Sequence, residues 1–113
     1  MSRFEIVPHA GGYLLEMDGL PQSHVDLEDP RHLAMEYMAH LAAVLRGVNP
    51  PAPAPLRVTH VGGAAMTMPR WVQDVRPGSP QIVLEPDAEL TEAVRRELPL
   101  PRGHRIRVRA QTG

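Results

Sequence analysis

Gly62 and Gly63 close the run LRVTHV and open the run AAMTMPRWV, and Glu85 ends the run QIVLE 22 positions after Gly63. Two adjacent glycines after a strand-like run let the backbone come close to a bound molecule, because no Cβ stands in the way. A carboxylate at the end of the next such run can accept two hydrogen bonds from a ribose diol, and an offset of about 20 residues is the one that dinucleotide and adenosine folds use. A Gly-Gly pair alone is more often a tight turn. The strand before it, the helix after it and the spaced acid together point to a cofactor, and a side chain at Gly63 is expected to stand in the ligand's space. The G-x-G-x-x-G fingerprint is not met, since GGAAMT has no third glycine and no room for a pyrophosphate turn. An adenosyl cofactor without pyrophosphate fits better.

Other chemistry is weaker. The six His show no pair at i, i+4 spacing with an acid between, so no metal is expected. With no Cys, disulfides and thiolate sites are excluded. Arg102, Arg105, Arg107 and Arg109 are most simply the solvent side of a last strand. Asp18 and Asp26 could act as acid and base by type, but hairpin and cap roles explain them, and no catalytic residue is assigned. A net charge of -1 gives no field to hold a phosphate backbone, so nucleic acid is not expected as a partner. No apolar run of about 18 residues could span a bilayer, and the N-terminus lacks the order of a secretion signal, so a cytoplasmic location and no membrane partner are expected. All 12 basic residues are Arg, the usage of a GC-rich bacterial genome.

The elements that must position this site follow from patterning. At 113 residues and 42% hydrophobic content the chain can build one modest core. RFEIV, YLLEM and SHVDL, separated by His9-Ala10-Gly11-Gly12 and by Asp18-Gly19, read as a β-meander. Asp29 at an N-cap, Pro30 at the first helical position and Gly47 after the last periodic residue predict a helix over about 30–46, with Leu33, Tyr37, Met38, Leu41, Val44 and Leu45 on its buried face. NPPAPAP favours an extended polyproline connector. A strand over 56–61, a helix from the Gly-Gly turn to about Val75, QIVLE, a helix from Asp87 with Leu90, Val94 and Leu98 on one face, and RIRVRA then follow. The fold class is therefore α/β: an N-terminal β-meander and helix (1–48), a Pro-rich connector (49–55), and the β-α-β-α-β first half of a doubly wound, Rossmann-like parallel sheet (56–113). Trp71 is expected to anchor a helix to the sheet.

The ordered set LLEMDGLPQSHVDLEDP, EYMAHL, VTHVGGAAMTMPRWV and VLEPDAEL resembles the spermidine synthase-like proteins. The resemblance implies a methyltransferase-type sheet, a small-molecule substrate that includes polyamines, and S-adenosylmethionine or its decarboxylated form as the cofactor. It also implies transfer of an aminopropyl or methyl group. It assigns Gln22, in the pattern D-G-x-x-Q begun by Asp18 and Gly19, to the cofactor together with Gly62, Gly63 and Glu85. Several features depart from the family. Ala34 and Met35 stand where a Tyr-His pair is usual, Ala65 replaces the acid of the Gly-rich loop, and the adenine-binding acidic motif and catalytic Asp are expected beyond the third strand. The alternative is a non-catalytic cofactor-binding or dimerisation remnant. In this type of sheet Leu56–Val61 would lack a neighbour on one side, so a homo-oligomer through that edge is also expected.

Overall fold

The computed structural model describes residues 4–33 and 35–111. Its first layer is an antiparallel meander of β1 (Phe4–His9), β2 (Gly12–Met17) and β3 (Leu20–Val25), in that spatial order. Both hairpins turn as the sequence predicts. Asp18 and Gly19 sit at φ 52° and 79°, the two positive values that a type I′ turn needs to match strand twist, and Ala10-Gly11 repeats the arrangement. Pairing of β1 with β2 is regular from Phe4↔Met17 to His9↔Gly12, whereas β2 and β3 shift register between Leu15 and Glu16.

The helix α1 spans Glu36–Arg46, six residues later than its cap signals suggest. The two aspartates that resemble caps are used in an irregular turn instead. Asp26 Oδ1 accepts the amides of Glu28 and Asp29 while its Oδ2 meets His32 Nδ1, and Asp29 Oδ1 accepts the Arg31 amide. Such local side-chain bonds compete directly with helix formation. The buried face of α1 is Met38 and Ala42, with Leu45 half-buried, whereas Leu41 and Val44 are exposed. Ala34 and the side chain of Tyr37 lie outside the described residues.

Residues 49–55 are not an extended rod. Asn49-Pro50 and Ala52-Pro53 are cis, and Ala54 donates its amide to Pro51 O in a turn. The cause of the curl is Arg76, fully buried at the end of α2 (Thr67–Val75). Its guanidinium donates to the carbonyls of Leu45, Val48, Pro50 and Ala54 and draws the segment around itself.

The second sheet is parallel, in the order β4 (Val58–Val61), β5 (Pro80–Leu84), β6 (Arg105–Arg109), with α2 and α3 (Ala88–Glu97) as its crossovers. Asp87 caps α3 by accepting the Leu90 amide, and Leu90, Val94 and Leu98 are all buried on one face. Val83 and Ile106 point into the core, while the alternate positions of β6, Arg105, Arg107 and Arg109, are exposed. One cluster joins the two sheets: Leu15 and Val25 of the meander pack with Ala65, Met66, Val83, Leu90, Val94 and Ile106. A second cluster joins α1 to α2. Trp71, 1% exposed, lies there with Met38 and Ala42, so it anchors helix to helix rather than helix to sheet alone. Among the described residues, no helix is long and apolar enough to cross a membrane.

Candidate functional site

The site is built where β4 ends. Gly62 continues the ladder by donating its amide to Leu84 O at 2.8 Å. At φ 81° it takes a conformation that side chains other than hydrogen rarely adopt. The chain then turns through Ala64 and Met66, both at positive φ, into α2, which has no side-chain N-cap. Pro69 falls in the first turn, where its missing N–H leaves no intrahelical acceptor unpaired. The amides at the turn must therefore find other acceptors. Glu85, the residue after β5 and 9% exposed, supplies them: its Oε1 accepts from Gly63 at 3.2 Å and from Ala64 at 3.1 Å, and its Oε2 accepts from Asp87 at 3.1 Å.

This arrangement separates the two glycines. Around Gly62 there is open space, so its requirement is conformational. A Cβ on Gly63 would lie 2.5 Å from Val83 Cγ1 and 2.9 Å from Met66 Sδ. The side chain excluded at Gly63 is thus excluded by the protein's own core, which corrects the expectation that a ligand's space excludes it. The loop also explains why a pyrophosphate pattern is missing. Two of the amides that would meet a phosphate already face a carboxylate, which would repel it.

The meander reaches the same loop. Ser23 Oγ, fully buried, accepts the Ala65 amide at 3.2 Å, and Thr67 Oγ1 donates to His24 O at 2.8 Å. Arg70 holds the loop from below by donating to Ala65 O, Leu98 O and Pro99 O, and burial pushes its guanidinium down to about 10. Patterning gives no signal for Arg70 or Arg76, because an arginine in an amphipathic helix reads as solvent-facing.

An open cavity of about 470 Å³ lies over the loop. That size is within the range of small-molecule sites. Gln22 of β3, Gly62, Gly63 and Glu85 all line it. Its other walls are Met17 and Ser23 from the meander, Met38 and Leu41 from α1, Met68 and Pro69 from α2, and His60 and Val61 from β4. The four residues singled out in the sequence therefore share one cavity at the carboxyl ends of β4 and β5, the position at which open α/β sheets bind ligands. Ala65 is completely buried beneath the loop. Among the described residues, no group of three or more His, Cys, Asp or Glu is placed to hold a metal ion.

No protein-family model matches the chain, and no curated protein matches it. Among solved structures, a probable spermidine synthase from Corynebacterium glutamicum is similar at 35% identity with a TM-score of 0.82. The likeness covers 97% of this chain and 41% of that one. It runs through both sheets and the loop between them. The chain is therefore similar in sequence and fold to part of that protein, with an antiparallel N-terminal sheet and a partial Rossmann-like fold that span less than half of that relative's length.

Proposed function

We propose that this chain is the cofactor-binding part of a transferase that uses S-adenosylmethionine or its decarboxylated form to transfer a methyl or aminopropyl group to a small amine. One observation carries the reading: Gln22, the Gly62-Gly63 loop and Glu85 converge on a single cavity at the strand ends. With three backbone amides on its two oxygens, Glu85 keeps acceptor capacity for a ribose hydroxyl, since a carboxylate offers about four lone-pair sites. Met17, Met38 and Met68 supply polarizable surface for a sulfur-bearing ligand. In this chemistry the nucleophilic amine attacks the carbon beside the sulfonium, and the residues described here bind and orient the donor.

A second reading, a non-catalytic cofactor-binding unit, is favoured by Ala65, which is buried at the position where the resemblance places the acid of the Gly-rich loop. Calorimetric titration with S-adenosylmethionine and with its decarboxylated form tests the shared step, and heat-silent titrations with both reject it. A radiolabel transfer assay with putrescine and the decarboxylated donor separates the readings. Product above the no-protein control supports the transferase, and binding without product supports the second reading.

A further inference from the structure

His60 is the only imidazole on the cavity wall among the described residues, and its hydrogen bonding defines which nitrogen is free. Gln81, 1% exposed, donates its amide nitrogen to Pro69 O at 3.0 Å, so its Oε1 is turned to His60 Nε2 at 2.6 Å. An amide oxygen only accepts, so Nε2 carries the proton and Nδ1 is left as an acceptor. His24 makes the contrast. Its Nε2 also meets a carbonyl, His9 O, but its Nδ1 is buried without a partner, the situation of a core histidine. His60 Nδ1 is not among the buried orphaned atoms, and the residue is half-buried at the cavity. Burial pushes the His60 imidazole down from its usual range, which keeps it neutral and able to accept at physiological pH.

We propose that His60 is a binding residue of this cavity, its Nδ1 accepting a hydrogen bond from the terminal ammonium of the ligand's sulfur-bearing chain. The proposal rests on the cofactor reading above and adds the group that recognises the tail. Glu85, at the end of β5, takes the ribose on one side of the loop. The tail then crosses Gly62-Gly63 toward the β4 side, where Met38, Leu41, Met68 and Pro69 form an otherwise apolar wall. Apart from Glu85 and, on β3, Gln22 and Ser23, His60 is the lining side chain able to accept from an ammonium. A neutral imidazole there accepts without adding a second negative charge beside Glu85.

Two probes separate the tail from the nucleoside: S-adenosylmethionine, which carries an ammonium on the chain beyond its sulfonium, and methylthioadenosine, which has the same nucleoside with a neutral thioether and no tail. In calorimetric titrations, His60→Gln keeps a donor for Gln81 and removes the Nδ1 acceptor. It is expected to weaken S-adenosylmethionine by about tenfold or more, the scale of one hydrogen bond to a charged group, while leaving methylthioadenosine within about twofold. His60→Asn places its oxygen where Nδ1 stood and recovers most of the loss. Equal affinities of wild type and His60→Gln for S-adenosylmethionine overturn the proposal and leave the cofactor reading intact. Equal weakening of both probes assigns His60 a merely structural role and also overturns it. If wild type binds neither probe, the cofactor reading fails and the proposal with it.

Discussion

Glu85 is hydrogen-bonded to the amide of Gly63, 22 residues earlier, so the acid expected to hold a ribose also holds the loop on which the ribose would rest. The two roles share one carboxylate. A ligand hydroxyl therefore meets an acceptor already fixed by Gly63, Ala64 and Asp87, and little side-chain freedom remains to be lost on binding. We predict that Glu85→Ala lowers stability by about 1 to 3 kcal/mol through three orphaned amides, and weakens S-adenosylmethionine by a similar amount. Thermal denaturation and titration read the two effects separately. An unchanged melting midpoint refutes the loop role, and an unchanged affinity refutes the ribose role.

The two glycines should fail for different reasons. Gly62 is a left-handed residue in open space. A side chain there is strained by the backbone alone, and Gly62→Ala should cost roughly 1–2 kcal/mol. Gly63→Ala instead overpacks against Val83 and Met66. Its cost should be roughly 1–3 kcal/mol. The decisive measurement is coupling. In a double-mutant cycle, Val83→Ala should relieve part of the Gly63→Ala loss and none of the Gly62→Ala loss. Absence of coupling at Gly63 would place its constraint outside the core.

Much of this fold was legible in the sequence, and the exceptions have identifiable causes. Asp18-Gly19, Asp87 and the Leu90, Val94, Leu98 stripe are local signals, and the structure follows them. The start of α1 and the shape of residues 49–55 were not legible, because each depends on a non-local or competing bond. Asp26 draws the Glu28 and Asp29 amides out of a helix, and Arg76 gathers four carbonyls from 22 or more residues away. In the site, Gly62 and Glu85 were visible from spacing. Ser23, Gln81 and His60 emerge only once the sheet register and the packing of β3 on the loop are known.

Arg76 provides the sharpest stability test. The residue is 1% exposed and has no carboxylate partner among the described residues, so its two terminal nitrogens are satisfied by backbone oxygens alone while Nε is buried without a partner. We predict that Arg76→Met costs about 1–3 kcal/mol, since four part-buried carbonyls lose their donors together. Arg76→Lys should rescue little, because an ammonium has three donors and no planar fork. Urea denaturation gives the magnitude, and faster exchange of the Ala54 amide locates it. A near-neutral Arg76→Lys would show that water can replace the fork.

Acid should weaken the fold in an ordered way. Burial depresses the His60 imidazole, so below its usual value of about 6.5 the unfolded chain binds a proton that the folded chain refuses. The contribution is fully present above that value and is lost as pH falls toward the depressed one. Asp26 is depressed chiefly by the Asp29 amide, and its contribution is lost later, below the ordinary carboxylate range. We predict a urea midpoint that drops between about pH 7 and pH 5 in wild type and drops less in His60→Gln. Parallel profiles would remove His60 as the source.

The last prediction concerns the outer edge of β4. Among the described residues the sheet order is β4-β5-β6, so the side of β4 away from β5 has no strand paired to it. Val61 is 75% exposed there, and Arg57 and Thr59 are also exposed. Neither Pro nor Lys lies between Leu56 and Val61 to discourage pairing with another chain. On the neighbouring strand Ile82 and Leu84, in register with Thr59 and Val61, are only half-buried, which widens the apolar surface beside the edge. We predict that the 113-residue chain self-associates with rising concentration through β4, and that Thr59→Lys shifts it toward monomer by placing a charge on the edge. Light scattering across a dilution series reads the mass. A wild-type monomer at every concentration, with slow amide exchange over 58–61, would mean that residues of this chain already cover the edge, and the prediction would fail.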